Sequence, residues 1–373
     1  MENVFDITTF GAIGDGKTDC TKYIQKAIDL AAEVNGSVIV PPGKYLCGYI
    51  KLSTCVSLIG FHGWAYREFG GSRLILNDDS VPCLLDMTGA YGSSVKGIQF
   101  EGNRLMGDNI HGIMVNQPEY NAGKFEDESE NIDRHLLADP THFDFREDGI
   151  LISDCQCKHF SGDGIHLNHI FAFTVAQSQL SSNGGDGIYI NGWDGWIYDC
   201  TMCVNNGAGI GAEKTDSDGK VTCCSITMTG NRIEWNRRGG LRLYNTDTLN
   251  VTGNFFDRST GPAIIFDGQI NTNSTITGNI FKRSGKPSEK PFTDKYESTH
   301  IYLKNSDNIA VVGNTFVKGH DDGGVGVVSP DFSVVYKDSS NCVISQNAMN
   351  NSCMKDKIVG IGIDENMIVK DNT

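Results

Sequence analysis

A chain of 373 residues with 39% hydrophobic and 21% charged residues has the make-up of a globular protein with a large core, which excludes disorder and a collagen-like fibre. Acidic residues outnumber basic ones 46 to 31, and a net charge of −15 repels phosphate backbones and anionic bilayers, so neither nucleic acid nor a membrane is an expected partner. Glycine stands out at 44 residues with no Gly-X-Y period, which implies many tight turns.

The opening residues, MENVFDITTFGAIGDG, have neither a basic start nor an apolar run, so no secretory signal is read there. The 12 cysteines lie in strand-like surroundings such as ISDCQC and VTCCSI. They are read as reduced core residues, which points to a cytoplasmic protein, or a secreted one if a leader has been removed. Ile24, Ala27, Ile28 and Ala31 then follow the i, i+3, i+4, i+7 spacing of an amphipathic helix behind the capping candidates Thr18 and Asp19. A helix over 19–33 is predicted as the cap of a solenoid's open end, and PPGKY at 41–45 leads into the first strands.

From there a repeated unit takes over: glycine, an aliphatic residue, any residue, an aliphatic or small residue, then a polar one. It reads HGIMVN from His111, DGILIS from Asp148, DGIHLN from Asp163, DGIYIN from Asp186, AGIGAE from Ala208, GGLRLY from Gly239 and PAIIFD from Pro262. Spacings of 23, 22, 31 and 23 residues run from Gly164 to Ala263. A second signal sets Asn231, Asn254, Asn279 and Asn314 behind glycines at matching turns, where stacked amides can bond to one another. Short period-2 strands at this pitch predict an all-β, right-handed parallel β-helix with an N-terminal α-helical cap, filling 1–373 as a single domain.

The segment Phe10 to Gly48, FGAIGDGKTDCTKYIQKAIDLAAEVNGSVIVPPGKYLCG, closely resembles the N-terminal segment of the pectate-lyase-like superfamily. That resemblance implies a right-handed β-helix and a carbohydrate-active protein: a polygalacturonase or other glycoside hydrolase, a polysaccharide lyase, a fructan-processing enzyme or a tailspike. NTDTLN at 245–250 and HDDGG at 320–324 lack the order of the polygalacturonase motifs, so no catalytic residue is carried over.

Strand alternation turns two columns of side chains outward. The first reads Met114, Leu151, His166, Tyr189, Gly211, Arg242, Ile265 and Tyr302; the second reads Asn116, Ser153, Asn168, Asn191, Glu213, Tyr244, Asp267 and Lys304. Insertions at 117–147, 192–196, 214–221 and 286–298 are expected to wall a cleft over them, with Trp193 and Asp194 on one wall. Aromatic rings, amides and isolated acids are what sugar recognition needs, so His166, Asn168, Tyr189, Asn191, Trp193, Arg242, Tyr244, Tyr302 and Lys304 are the expected substrate contacts. Glu213 and Asp267 lie two coils apart in one column, roughly 9 to 10 Å at about 4.8 Å per coil, near the spacing of an inverting glycosidase pair.

The expected activity is glycoside hydrolysis with Glu213 as acid and Asp267 or Asp194 as partner. Alternatives are a fructan-type intramolecular transferase or cyclic difructose hydrolase, a lyase using Arg242 as base, and a tailspike-like carbohydrate-binding protein. No metal or cofactor is expected, Asp148, Asp163 and Asp186 are read as turn residues, and a homotrimer is the expected assembly.

Overall fold

The computed structural model describes residues 3–67, 70–104, 106–117, 148–212, 221–285, 294–319 and 329–373. Every strand pairing within them is parallel, and the chain climbs as a β-helix with three strand-bearing faces per coil. In one coil, Ile165–Ala176 bends so that 165–168 lies on the first face and 173–176 on the second, and Gln179–Ser181 forms the third. The next coil repeats this with Ile188–Tyr198 and Thr201–Cys203.

The bend between the first two faces shows why the sequence turns where it does. Asp194 takes φ 53°, and at Gly195 a β-carbon would sit 2.3 Å from the Phe173 ring of the preceding coil. GWDGW at 192–196 is therefore a corner inside one continuous strand, which corrects its reading as a wall loop. Glycines let the backbone approach the neighbouring coil, and that use of glycine looks the same in sequence as a loop.

Asparagines hold two other lines of corners. Asn231, Asn254, Asn279, Asn314, Asn347 and Asn372 form one ladder, each Nδ2 donating to the next Oδ1 at 2.9–3.0 Å. Asn183, Asn205 and Asn236 form a second, after the third face. Each amide also donates to a carbonyl on a neighbouring strand, as Asn254 does to Met228 at 2.9 Å, so the buried asparagines of these ladders are satisfied.

Near the N-terminus, helix α1 spans Thr21–Ala32 and buries Ile24, Ala27, Ile28 and Ala31. It packs on Val4–Asp6, Ser37–Ile39 and Ile50–Lys51. Of the two capping candidates Asp19 serves the helix start, accepting from the Thr21 amide at 2.9 Å, while Thr18 bonds back to Asp15. Gln25 ties the helix to the first face through both backbone groups of Lys51. Nine cysteines are buried, and Cys55, Cys224 and Cys353 are accessible; all are free thiols.

Candidate active site

The first face carries an outward column whose register is Lys51, Asp86, Met114, His166, Tyr189, Gly211, Arg242, Ile265, Tyr302 and Val335. Lys51 and Asp86 extend the sequence-derived column toward α1, where no glycine motif announces them. Leu151 leaves it: with Ser153 it pairs to Ser94 and Lys96 on the second face. Both corners of a coil can use Asp-Gly, so DGILIS mimics the text of the other corner. Asp148 serves that second corner, accepting from Phe171 N at 2.7 Å and Gln117 Nε2 at 2.9 Å, and its burial raises its pKa.

Parallel to this column, Asn116, Asn168 and Asn191 stand side by side, Asn168 donating to Asn116 at 2.8 Å and Asn191 to Asn168 at 3.0 Å. Further along, Tyr244 is directly beside Asp267. Glu213, which the sequence puts between Asn191 and Tyr244, lies outside the described residues, as do 118–147, 214–220 and 286–293 of the expected walls.

The corner aspartates do more than turn the chain. Asp163 Oδ1 accepts the amide of Asp186 at 2.6 Å, and Asp186 Oδ1 accepts that of Ala208 at 2.5 Å, so each stitches its coil to the next. Their second oxygens face the groove. Asp163 Oδ2 meets Nδ1 of His166 at 2.8 Å and Nδ1 of His111 at 3.2 Å. Burial raises the Asp163 pKa, but hydrogen bonds and charge from the two histidines outweigh it and hold the carboxyl below its ordinary value. The His166 ring stacks on Tyr189 with centroids 4.4 Å apart.

Asp186 Oδ2 leans over the next coil, where a β-carbon on Gly211 would come within 1.9 Å of it. Glycine at 211 is thus the space that lets a carboxylate overhang the strand. The result is a cleft of about 370 Å³ lined by Asp186, Arg238, Arg242, Tyr244 and Asp267.

At its far side Arg242 is held by Glu297 at 3.0 Å and approaches Asp267 at 3.7 Å, while Lys304 lies 3.4 Å from the other Asp267 oxygen. Glu297 was not singled out from sequence. It sits on the short 3-10 turn Lys295–Glu297, buried against the strand that follows. That turn also corrects Tyr302 as a substrate contact. Tyr302 is fully buried, bonded through its hydroxyl to Asp294 at 3.0 Å, and packed with Ile265, Phe332, Val335 and Tyr296. Burial, reinforced by Asp294, pushes its phenol pKa up.

Asp194 is exposed at the corner between two faces, beside the half-buried Trp193, and neither lines the cleft. Glu234 and Asp257 stand on the third face, the first paired to Arg232 and the second to Arg258 and Arg283, so they do not edge the groove. The absence of any metal-ligand cluster, read from sequence, is also corrected. His111, Asp163 and His166 bring one donor atom each to within 4.8 Å of one another. The signal existed: HGIMVN puts histidine where later coils have the corner aspartate, but 52 residues separate the partners.

Two family models match this chain. One, described as a right handed beta helix region, matches residues 163–332, and the other, rhamnogalacturonase A/epimerase, pectate lyase-like, matches 4–64. Among solved structures, a mannuronan C-5 epimerase A-module from Azotobacter vinelandii aligns over 99% of this chain and 98% of its own at 17% identity and TM-score 0.61. A DFA-IIIase from Arthrobacter chlorophenolicus in complex with GF2 aligns over 100% and 98% at 15% identity and TM-score 0.63. Tailspike protein 2 of an Escherichia coli O157:H7 bacteriophage aligns over 98% of this chain and 42% of its own at 14% identity and TM-score 0.58. Likeness at this level of identity speaks for the fold.

Proposed function

We propose that this chain, similar over residues 163–332 to the right handed beta helix region and over 4–64 to the pectate lyase-like family, is a carbohydrate-active enzyme of the pectate-lyase-like superfamily that cleaves a glycosidic bond in the first-face cleft. The observation that carries this reading is a pair of carboxyl groups lining one cleft on either side of Arg242: Asp186, which overhangs Gly211 of the next coil, and Asp267, two coils on from Gly211. From the level of Gly211, which the Asp186 carboxylate overhangs, two coils are roughly 9 to 10 Å at about 4.8 Å each, the order of separation of an inverting pair.

The roles follow from the surroundings. Asp267, positioned between Arg242 and Lys304 beside Tyr244, acts as the base that takes a proton from water as the water oxygen bonds to the anomeric carbon. Asp186 gives a proton to the leaving glycosidic oxygen, and the C–O bond breaks. Arg242, oriented by Glu297, holds a substrate hydroxyl or carboxylate, with Tyr244 offering a ring face beside the base. Arg242 as the base of a lyase is disfavoured, since its guanidinium is engaged by the carboxylates of Glu297 and Asp267.

Two of the proteins with similar folds are carbohydrate enzymes of different kinds, a mannuronan C-5 epimerase and a DFA-IIIase, which supports a sugar substrate. A second reading, proton transfer next to a uronate carboxylate, is favoured by one observation: Asp163 orients His166 beside Tyr189. A product-resolved screen on fructans, difructose anhydrides, pectins and alginates tests both. Saturated fragments support cleavage by the aspartate pair, while ultraviolet-absorbing unsaturated ends, or epimers at unchanged chain length, overturn it in favour of His166.

A further inference from the structure

We infer that His111, Asp163 and His166 form a binding site for a divalent transition-metal ion on the floor of the groove. The three side chains come from two adjacent coils, and their donor atoms lie within 4.8 Å of one another. Two of the separations, from Asp163 Oδ2 to the two Nδ1 atoms, are 2.8 and 3.2 Å. A triangle of that size has a point about 2 to 2.5 Å from each corner, which is the range of metal–imidazole and metal–carboxylate bonds.

Hydrogen bonding alone does not settle this cluster. His111 Nδ1 is 3.0 Å from the Asp163 amide, which can only donate, and 3.2 Å from Asp163 Oδ2, which can only accept when ionised. One nitrogen cannot both accept and donate, so one of the two contacts sets like partial charges against each other. A cation that takes the His111 Nδ1 lone pair in place of the amide contact sets positive charge between this nitrogen and the carboxylate and removes that conflict.

The donor set chooses the ion. Two neutral imidazoles and one carboxylate suit Zn²⁺, Co²⁺, Ni²⁺ or Mn²⁺, whereas Ca²⁺ wants about 6 to 8 oxygens. The remaining Asp163 oxygen is fixed by the Asp186 amide at 2.6 Å, the kind of outer contact that orients a ligating carboxylate. Side-chain exposures of 8%, 11% and 19% for His111, Asp163 and His166 leave the site reachable from the groove, with coordination positions open to water, a sugar hydroxyl or a carboxylate. One adjustment is required. The two imidazole planes are stacked at 4.2 Å with a 32° tilt, so His166 must turn about its Cβ–Cγ bond, out of its parallel stack with Tyr189, before both rings aim at one ion.

The test needs no substrate, so its outcome is independent of the activity proposed above. Chelator-treated full chain is titrated with Zn²⁺ by calorimetry and with Co²⁺ by visible absorption. One equivalent bound at micromolar affinity or tighter is expected, weakened at least about 10-fold by Asp163→Asn and by His166→Ala and abolished in the double variant His111→Ala/His166→Ala. Asp163→Asn keeps an oxygen for the Asp186 amide, and if it nevertheless unfolds, the partly exposed His166→Ala carries the test. Absence of one-equivalent binding, binding unchanged in the double variant, or a cobalt–thiolate band assigning the ion to Cys55, Cys224 or Cys353 overturns the assignment.

Discussion

The two halves of the first face share one strand register and carry opposite outward columns. From Lys51 to Arg242 the column is polar, with Asp86, His166 and Tyr189 between them and Met114 as an apolar interruption, and Lys51, His166, Tyr189 and Arg242 are part-exposed. From Ile265 onward it reads Ile265, Tyr302, Val335 and Val359, and these pack with Phe332 under Tyr296 into a second, external apolar cluster. Alternation along a strand fixes which way a side chain points, but whether that direction ends in water is decided by what lies over it. Arg242 stands at the boundary, facing the cleft on one side and tied by Glu297 to the covering turn on the other.

That contrast can be broken at its apolar end first. Tyr302→Ala removes a fully buried ring and its bond to Asp294, and should cost about 3–5 kcal/mol in denaturant unfolding. His166→Ala, at the equivalent position in the open half, should cost under about 1 kcal/mol. Equal costs would mean that the two halves do not differ in the way described. Next in size is the cleft itself: Asp186→Asn keeps the shape and the bond to the Ala208 amide but removes the transferable proton, so turnover should fall at least about 100-fold with folding preserved. Retained turnover in Asp186→Asn, with loss in Glu213→Gln, would move the acid to the residue favoured by sequence alone.

Much of this was legible in the sequence, and the failures have physical causes. The coil pitch and the neighbour order His166, Tyr189, Gly211, Arg242 follow from glycine spacing and period-2 alternation, because each coil repeats the same turn at the same depth. Leu151 was misplaced because two different corners accept Asp-Gly. Tyr302 was read as exposed because a covering turn supplied by an insertion leaves no trace in the strand it covers. Glu297 was missed for the same reason, and His111 because an insertion separates it in sequence from the aspartate it meets in space.

A smaller effect is expected at the boundary. Glu297→Gln preserves one hydrogen bond to Arg242 and removes the charge that pins it, so KM should rise about 10-fold with kcat changed less, as for a residue that positions a binding group. A fall in kcat at constant KM would instead place Glu297 in the chemistry.

The smallest effect separates the two halves by their histidines. In the open half His166 has the Asp163 carboxylate as partner. In the closed half His300 occupies the place that Gly164, Gly187, Gly209, Gly240 and Ala263 hold in earlier coils, packed against Phe281 and Phe316 with no hydrogen bond to either ring nitrogen. Burial drives its pKa down to about 3. The unfolded chain therefore binds this proton near its ordinary value of about 6.5 while the folded chain refuses it, so the contribution is complete above that pH and is lost progressively as pH falls toward the folded value. Between pH 7 and 5.5 that amounts to about 1 kcal/mol. His300→Leu fills the same space without a titrating group and should hold its unfolding free energy about 1 kcal/mol better than wild type over that interval. Parallel pH profiles for the two proteins would mean that His300 keeps its proton in the fold, and that the ring environment around it is wetter than the packing of Phe281 and Phe316 implies.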